Sequence, residues 1–340
     1  MKLAFAFLLL LAVPANAALV QGLDLIELTS PQFANSTVLS IAHFSDGTRV
    51  MSDGANLIAE DGSLTPLYQV DGGPLAAGSG GTWSLAIDSS DRLHVNEGAT
   101  GRIFRRDGTD WTLVATIAPF VDDMKFDAAG DLIVATRVND QSTNLWRVSA
   151  GDGSVTPIAS GLARFKAFDF DADGNIVFSE YIAGAIHRVH PITGADELLH
   201  GPLAGGTVEG TPVLAEAILV TAGGNYVIGL DRGVDRLSDI DGNRNRLDRF
   251  NPSTGDVITL GLDWTGFNGD GFRTPIDFDF DNLGQMQLVA SGSIQPQALI
   301  GDLDLDTPGL TAIAGIAPEP ATMSLLALAA VGLVRRRRHV

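Results

Sequence analysis

The chain has no cysteine. That excludes a disulfide framework, a thiolate metal site and a cysteine nucleophile. Basic charge is scarce, with 22 Lys and Arg against 41 Asp and Glu. Setting aside Lys2, Glu319 and the four C-terminal arginines leaves 17 basic against 40 acidic side chains, about −23 for the body. Such a field repels phosphate backbones and anionic lipid, so a nucleic-acid partner is excluded. Long apolar runs are missing from the body and occur only near the two ends. No body segment sustains a helical apolar stripe over three turns, which leaves an all-β reading. Neither a Gly-x-Ser-x-Gly elbow nor a phosphate loop is present.

The ends are addresses. Lys2 precedes an apolar stretch from Leu3 to Val13, Pro14 breaks it, and Ala15-Asn16-Ala17 offers small residues for cleavage. This three-part order predicts a signal peptide over residues 1–17, too short to span a bilayer as an anchor. At the other end, Pro318, Glu319 and Pro320 precede an apolar run from Ala321 to Val334 and then Arg335, Arg336, Arg337 and Arg338. The arginines fix orientation with the body outside. The tail, residues 317–340, resembles the PEP-CTERM sorting signal. That resemblance implies an exosortase-type partner, transient anchoring of a short transmembrane helix in the inner membrane, and an exported, cell-surface or extracellular destination.

Between the ends, residues 18–316 read as a repeat of alternating apolar segment, tight Asp/Gly turn and second alternating strand. Copies include Met124-Lys125-Phe126-Asp127-Ala128-Ala129-Gly130-Asp131-Leu132 and Phe168-Asp169-Phe170-Asp171-Ala172-Asp173-Gly174-Asn175-Ile176. The first turn residues fall at 44, 88, 127, 171, 221 and 281. Second hairpins turn at Asp107-Gly108, Asp152-Gly153, Thr193-Gly194 and Thr254-Gly255. Strand-and-turn units of about 40–50 residues are the signature of propeller blades, and six of them predict a six-bladed β-propeller. The stretch from Asp171 to Arg188 resembles NHL-type repeats, and the whole resembles propellers of the gluconolactonase (SMP-30-like) type. These resemblances imply a fold shared by binding modules, lactonases and lyases, and fold does not choose among them.

Asp53, Glu97 and Glu180 share one register position, nine residues past the first turn residue of their units. They are candidates for a metal at the propeller mouth, or acids bonded within their own blade. Recurring Arg105, Arg147, Arg188 and Arg249 read as structural. The insertion from Asp231 to Arg246 breaks the repeat. In it, Asp239, Asp241 and Asn243, followed by Asp248, place oxygen side chains as hard-cation loops do, so Ca²⁺ is the candidate cofactor, although the EF-hand pattern is incomplete. The histidines form no cluster, since His187 and His190 point to opposite faces of a strand.

The expectation is a non-enzymatic, surface-sorted propeller that binds partners, such as exopolysaccharide or other surface proteins, as a matrix module. The alternative is a periplasmic or extracellular metal-assisted hydrolase, lactonase or lyase. Three or more polar side chains converging at one end of the tunnel would favour the alternative.

Overall fold

The Asp/Gly turns have a simple cause. In the third unit Asp127 Oδ1 accepts from the Ala129 and Asp131 amides at 2.9 and 3.0 Å. In the fourth, Asp171 Oδ1 accepts from the Asp173 and Asn175 amides at 3.0 and 2.8 Å. The side chain thus fixes the reversal that the backbone requires. Gly130 and Gly174 complete these turns at φ 84° and 78°, and Asp91 occupies the equivalent place in the second unit at φ 57°. The recurring arginines brace the same corners: Arg147 Nη1 lies 3.4 Å from Asp127 and 3.2 Å from Asp131.

The structure is a computed structural model that describes residues 23–27, parts of 39–66, most of 84–262, and strands at 274–280, 286–291 and 297–301. The described strands form six four-stranded antiparallel sheets and one two-stranded hairpin at 207–212. Each of the first five sheets uses four consecutive strands, starting at Ser40, Leu85, Val121, Phe168 and Leu214. The sixth combines Thr274–Phe280, Met286–Ser291 and Gln297–Gly301 with the N-terminal strand Leu23–Glu27, which pairs with Gln297–Gly301. This is an all-β propeller fold. Residues 1–17, expected to be a signal peptide, and the tail at 317–340 lie outside the described residues. Among the described residues, no helix is long and apolar enough to cross a membrane.

Apolar clusters sit between neighbouring sheets. Ala86 and Ile103 of the second pack with Met124, Leu132 and Val134 of the third. Ile133 and Leu145 of the third pack with Phe168, Ile176 and Phe178 of the fourth. Val177 and Ile186 continue the series into the fifth with Ile218, Tyr226 and Ile228. The third and fourth sheets therefore bury both faces, which explains why second strands such as Ile176–Ser179 are buried at every residue.

A second set of bonds ties the first, innermost strands together around the axis. Ser40 Oγ accepts from the Leu85 amide (3.1 Å), Ser84 Oγ from Met124 (3.0 Å) and Asp123 Oδ2 from Phe168 (3.0 Å). Asp169 Oδ2 accepts from Val220 (2.7 Å), and Asp277 Oδ2 from Ile41 (3.0 Å). An innermost strand has one edge without a β partner, so its buried amides need side-chain acceptors, and the sheet next to each supplies them.

Candidate functional site

The axis carries two layers of charge. Lys125 Nζ lies 3.5 Å from Asp169 Oδ1, and His43 Nδ1 lies 2.7 Å from Asp279 Oδ2. These residues, with Asp123 and Asp277, line a cavity of about 340 Å³ that also meets Ile87, Phe126 and Phe170. Burial raises the Asp277 carboxyl to about 7, Asp123 adds to the rise, and Lys125 opposes it. Burial likewise raises Asp123. Burial would lower the Lys125 ammonium, but Asp169, Asp123, Asp277 and Asp279 outweigh it and hold the group up. Asp123, Asp169 and Asp277 accept the inter-sheet amides described above, so this interior is primarily a set of latches.

The opposite ends of the innermost strands look different. Five residues before the first turn residue, the third, fourth and fifth units carry Asp122, Lys166 and Glu216, where the first and sixth carry Leu39 and Ile276. The strand pairing explains how two of these acids reach the mouth. Val121 pairs with Thr136 and Asp123 with Ala135, leaving Asp122 as the extra residue of a bulge. Ala215 pairs with Leu230 and Ala217 with Gly229, leaving Glu216 in the same position. A bulge re-aims one side chain out of the ladder. Asp122 and Asp123 are adjacent, yet one meets the mouth and the other the axis.

Around these three lie Arg137, Arg164 and Tyr181. Lys166 Nζ is ion-paired with Glu216 Oε2 across the sheet boundary. The Arg164 guanidinium lies 4.2 Å and the Lys166 ammonium 4.7 Å from the centre of the Tyr181 ring. Cation–π contact of this kind is strengthened by desolvation. Arg164 is only 8% exposed. Burial raises the Asp122 carboxyl to about 6, with Arg137, Arg164 and Lys166 pulling it back and Asp123 pushing it further up. Burial also raises the Tyr181 hydroxyl, aided by Glu216. Asp122 Oδ2 and Arg164 Nε are buried with no hydrogen-bond partner. A site that can accept from and donate to a ligand, with a carboxyl titrating near neutrality, suits either polar recognition or proton transfer.

Of the residues expected from sequence, Glu97, Glu180 and Asp248 lie among the described residues. Glu97 is buried and committed to its own sheet, with Arg102 Nε 2.5 Å away and Thr100 Oγ1 hydrogen-bonded. Burial raises Glu180, opposed by His187, and its amide bonds to the Ala185 carbonyl at 2.7 Å. Asp53 lies outside the described residues, as do Asp239, Asp241 and Asn243. Asp248 sits inside the strand Asn245–Phe250, fully buried, opposite Ile228 and Thr259. The ends of the predicted insertion are ladder residues, since Asp231 pairs with Asn245 and Leu230 with Arg246. His187 stacks on Phe178 with centroids 5.0 Å apart and meets Asp196 at 3.1 Å, a structural setting. Among the described residues, no three His, Asp or Glu side chains are grouped to hold a metal.

Sequence reasoning did not single out Asp122, Arg137, Arg164, Lys166, Tyr181 or Glu216. One signal was available: the fifth position before each turn is charged in three consecutive units and apolar in others.

Residues 317–338 match the PEP-CTERM protein-sorting motif. The chain carries a sorting signal. That motif is a substrate signal for exosortase and marks a protein for export and membrane-anchored sorting to the cell surface. No curated protein matches the chain by sequence. Among solved structures, a gluconolactonase from Xanthomonas campestris is 16% identical, with 85% of this chain and 92% of that one covered at a TM-score of 0.58. A streptogramin B lyase is 12% identical, covering 84% and 100% at 0.55. A virginiamycin B lyase from Staphylococcus aureus is 14% identical, covering 83% and 99% at 0.52. At these identities the likeness speaks for the propeller fold alone.

Proposed function

We propose that this protein is an exported, surface-sorted, six-bladed NHL-like propeller that binds exopolysaccharide at the mouth formed by its third, fourth and fifth blades. Residues 1–17 are removed on export, residues 18–316 form the propeller, and residues 317–340 deliver it to an exosortase through a transient inner-membrane helix. One observation carries the binding site. Three consecutive units break the repeat at the same position and bring Asp122, Lys166 and Glu216 to one end of the axis, with Arg137, Arg164 and Tyr181 around them. A repeat can hold its fold with apolar residues there, as Leu39 and Ile276 indicate, so the charged set answers to something other than folding. Ca²⁺ held by Asp239, Asp241, Asn243 and Asp248, and a metal role for Asp53, Glu97 and Glu180, remain secondary proposals.

The test is retardation of the mature propeller in native gels cast with neutral bacterial exopolysaccharide. Retardation that disappears in Asp122→Asn and Lys166→Met supports the mouth. Retardation unchanged in both variants places binding elsewhere and overturns the assignment.

A second reading meets the criterion of three or more polar side chains converging at one end of the axis, and the Asp122 carboxyl, raised to about 6 beside three cations, adds to it. That is the range of a general acid–base group in a hydrolase, lactonase or lyase working near neutral pH. Turnover of lactones or aryl esters that is lost in Asp122→Asn would favour this enzyme over the binding module.

A further inference from the structure

Phe120 adopts φ 64°. The left-handed region is a genuine outlier for a bulky side chain, and such strain clusters where function requires it. Two short backbone bonds hold the conformation: the Phe120 amide donates to the Gly98 carbonyl at 2.6 Å, and its carbonyl accepts from the Arg137 amide at 2.8 Å. The repeat does not demand it. Arg164 occupies the same position in the fourth sheet, seven residues before the first turn residue. Its carbonyl accepts the equivalent bond from Tyr181 at 2.6 Å without a positive φ.

The strain is not explained by burial either. The Phe120 ring is 48% exposed, with the Arg137 guanidinium 5.2 Å from its centre. Val138 and Ile182, which follow Arg137 and Tyr181 at matching positions, are 55% and 42% exposed. The mouth therefore has an apolar lip beside its charged cluster. Two residues along the chain, Asp122 Oδ2 is a buried acceptor without a partner, and the more than nine-tenths buried Arg164 offers an unpartnered Nε–H. A ligand matching this arrangement presents an apolar face to an aromatic ring and, at its rim, groups that both donate and accept. Charge narrows the class. Arg137, Arg164 and Lys166 face Asp122 and Glu216 nearly in balance, while the acidic body repels polyanions.

We propose that Phe120 is a stacking platform for one pyranose ring of a neutral glycan, with Asp122 Oδ2 accepting from one ring hydroxyl and Arg164 Nε donating to its neighbour. This rests on the reading of the mouth as a glycan-binding site and names the residue that selects the ring.

The experiment is calorimetric titration of the mature propeller with laminarihexaose, cellohexaose and maltohexaose, using native protein, Phe120→Ala, Phe120→Trp and Asp122→Asn. The expected result is binding of at least one hexasaccharide by native protein. Phe120→Ala should weaken it at least tenfold, and Phe120→Trp should stay within about threefold of native. Because the ring is half exposed and alanine keeps the Cβ, so that the positive φ costs about what it costs in the native protein, the melting temperature of Phe120→Ala should stay within about 2 °C of native. Binding lost in Asp122→Asn but unchanged in Phe120→Ala would overturn the platform and leave the mouth reading intact. Failure of native protein to bind any of the three would overturn both. A melting temperature more than about 5 °C lower in Phe120→Ala would make the residue a packing element and overturn the platform.

Discussion

The Ile41 amide of the first sheet donates to Asp277 Oδ2 of the sixth at 3.0 Å, and Ser40 Oγ donates to the same oxygen at 2.8 Å. One partly buried carboxyl thus joins the start of the propeller to its end, across 236 positions of sequence.

That carboxyl makes stability pH-dependent. Burial raises Asp277 from 3.8 to about 7, so the native state holds its proton where the unfolded chain has released it. Stability from this group is fully present below about pH 4 and is lost as pH rises towards 7. Asp122, raised to about 6, acts in the same direction. The lowered carboxyls Asp88 and Glu97 act oppositely in acid, below their ordinary values of 3.8 and 4.5, and the His94 imidazole, lowered by burial, opposes in part below its ordinary 6.5. Melting temperature should therefore fall between pH 4.5 and 7.5. Asp277→Asn, which keeps an acceptor for Ile41, should flatten much of that slope. An identical slope in the variant would show that Asp277 is ionised throughout.

Asp123 is a latch with three donors. It accepts from Ser84 Oγ at 2.9 Å, the Met124 amide at 2.8 Å and the Phe168 amide at 3.0 Å. The Met124 amide keeps Ser84 Oγ as an acceptor, but the Ser84 hydroxyl and the Phe168 amide lose theirs at about 1–3 kcal/mol each, so Asp123→Ala should lose about 2 kcal/mol or more. Asp123→Asn, which retains one acceptor, should lose roughly 1 kcal/mol by the same reasoning. Urea unfolding of the two variants checks this, and equal losses would refute the latch.

Much of the fold was legible because its causes are local. Asp127 and Gly130 are three residues apart, and together they fix a turn that alternation on either side turns into a hairpin. The mouth was less legible because its partners are distant or counter-intuitive. Lys166 meets Glu216 across 50 residues. Asp122 and Asp123 read as one acidic pair until a bulge sends them to different environments. Glu97 illustrates the converse. Its register position allowed either a metal at the mouth or an acid bonded within its own blade, and Arg102 and Thr100 bond it within its own hairpin.

Processing offers a direct check on the two ends. Protein isolated from the surface of a host with an exosortase should begin near Ala18 and end close to Pro318. Intact-mass measurement showing Arg335 to Arg338 still present would refute sorting by cleavage.

The calcium proposal predicts a higher melting temperature in millimolar Ca²⁺ than in chelator, because a ligand of the folded state stabilises it by mass action. Asp241→Ala should abolish the difference. Superimposable melts of the native protein would remove Ca²⁺ from the account.

The N-terminal strand carries the largest structural consequence. Leu23–Glu27 pairs residue for residue with Gln297–Gly301, which otherwise forms the outer edge of the sixth sheet. Without that strand the sheet keeps three strands and exposes a row of unpaired amides and carbonyls. The loss does not stay local. The sixth sheet also meets the first through Asp277 and through Asp279, which pairs with His43. Loosening it weakens the seam where the two ends of the propeller join. Deleting residues 18–28 should therefore lower the melting temperature of the whole domain by more than about 5 °C, in one transition rather than through an early local step. Calorimetry of the truncated protein distinguishes these outcomes. A melting temperature within about 2 °C of native would mean that the three C-terminal strands hold the sheet without help from the N-terminus.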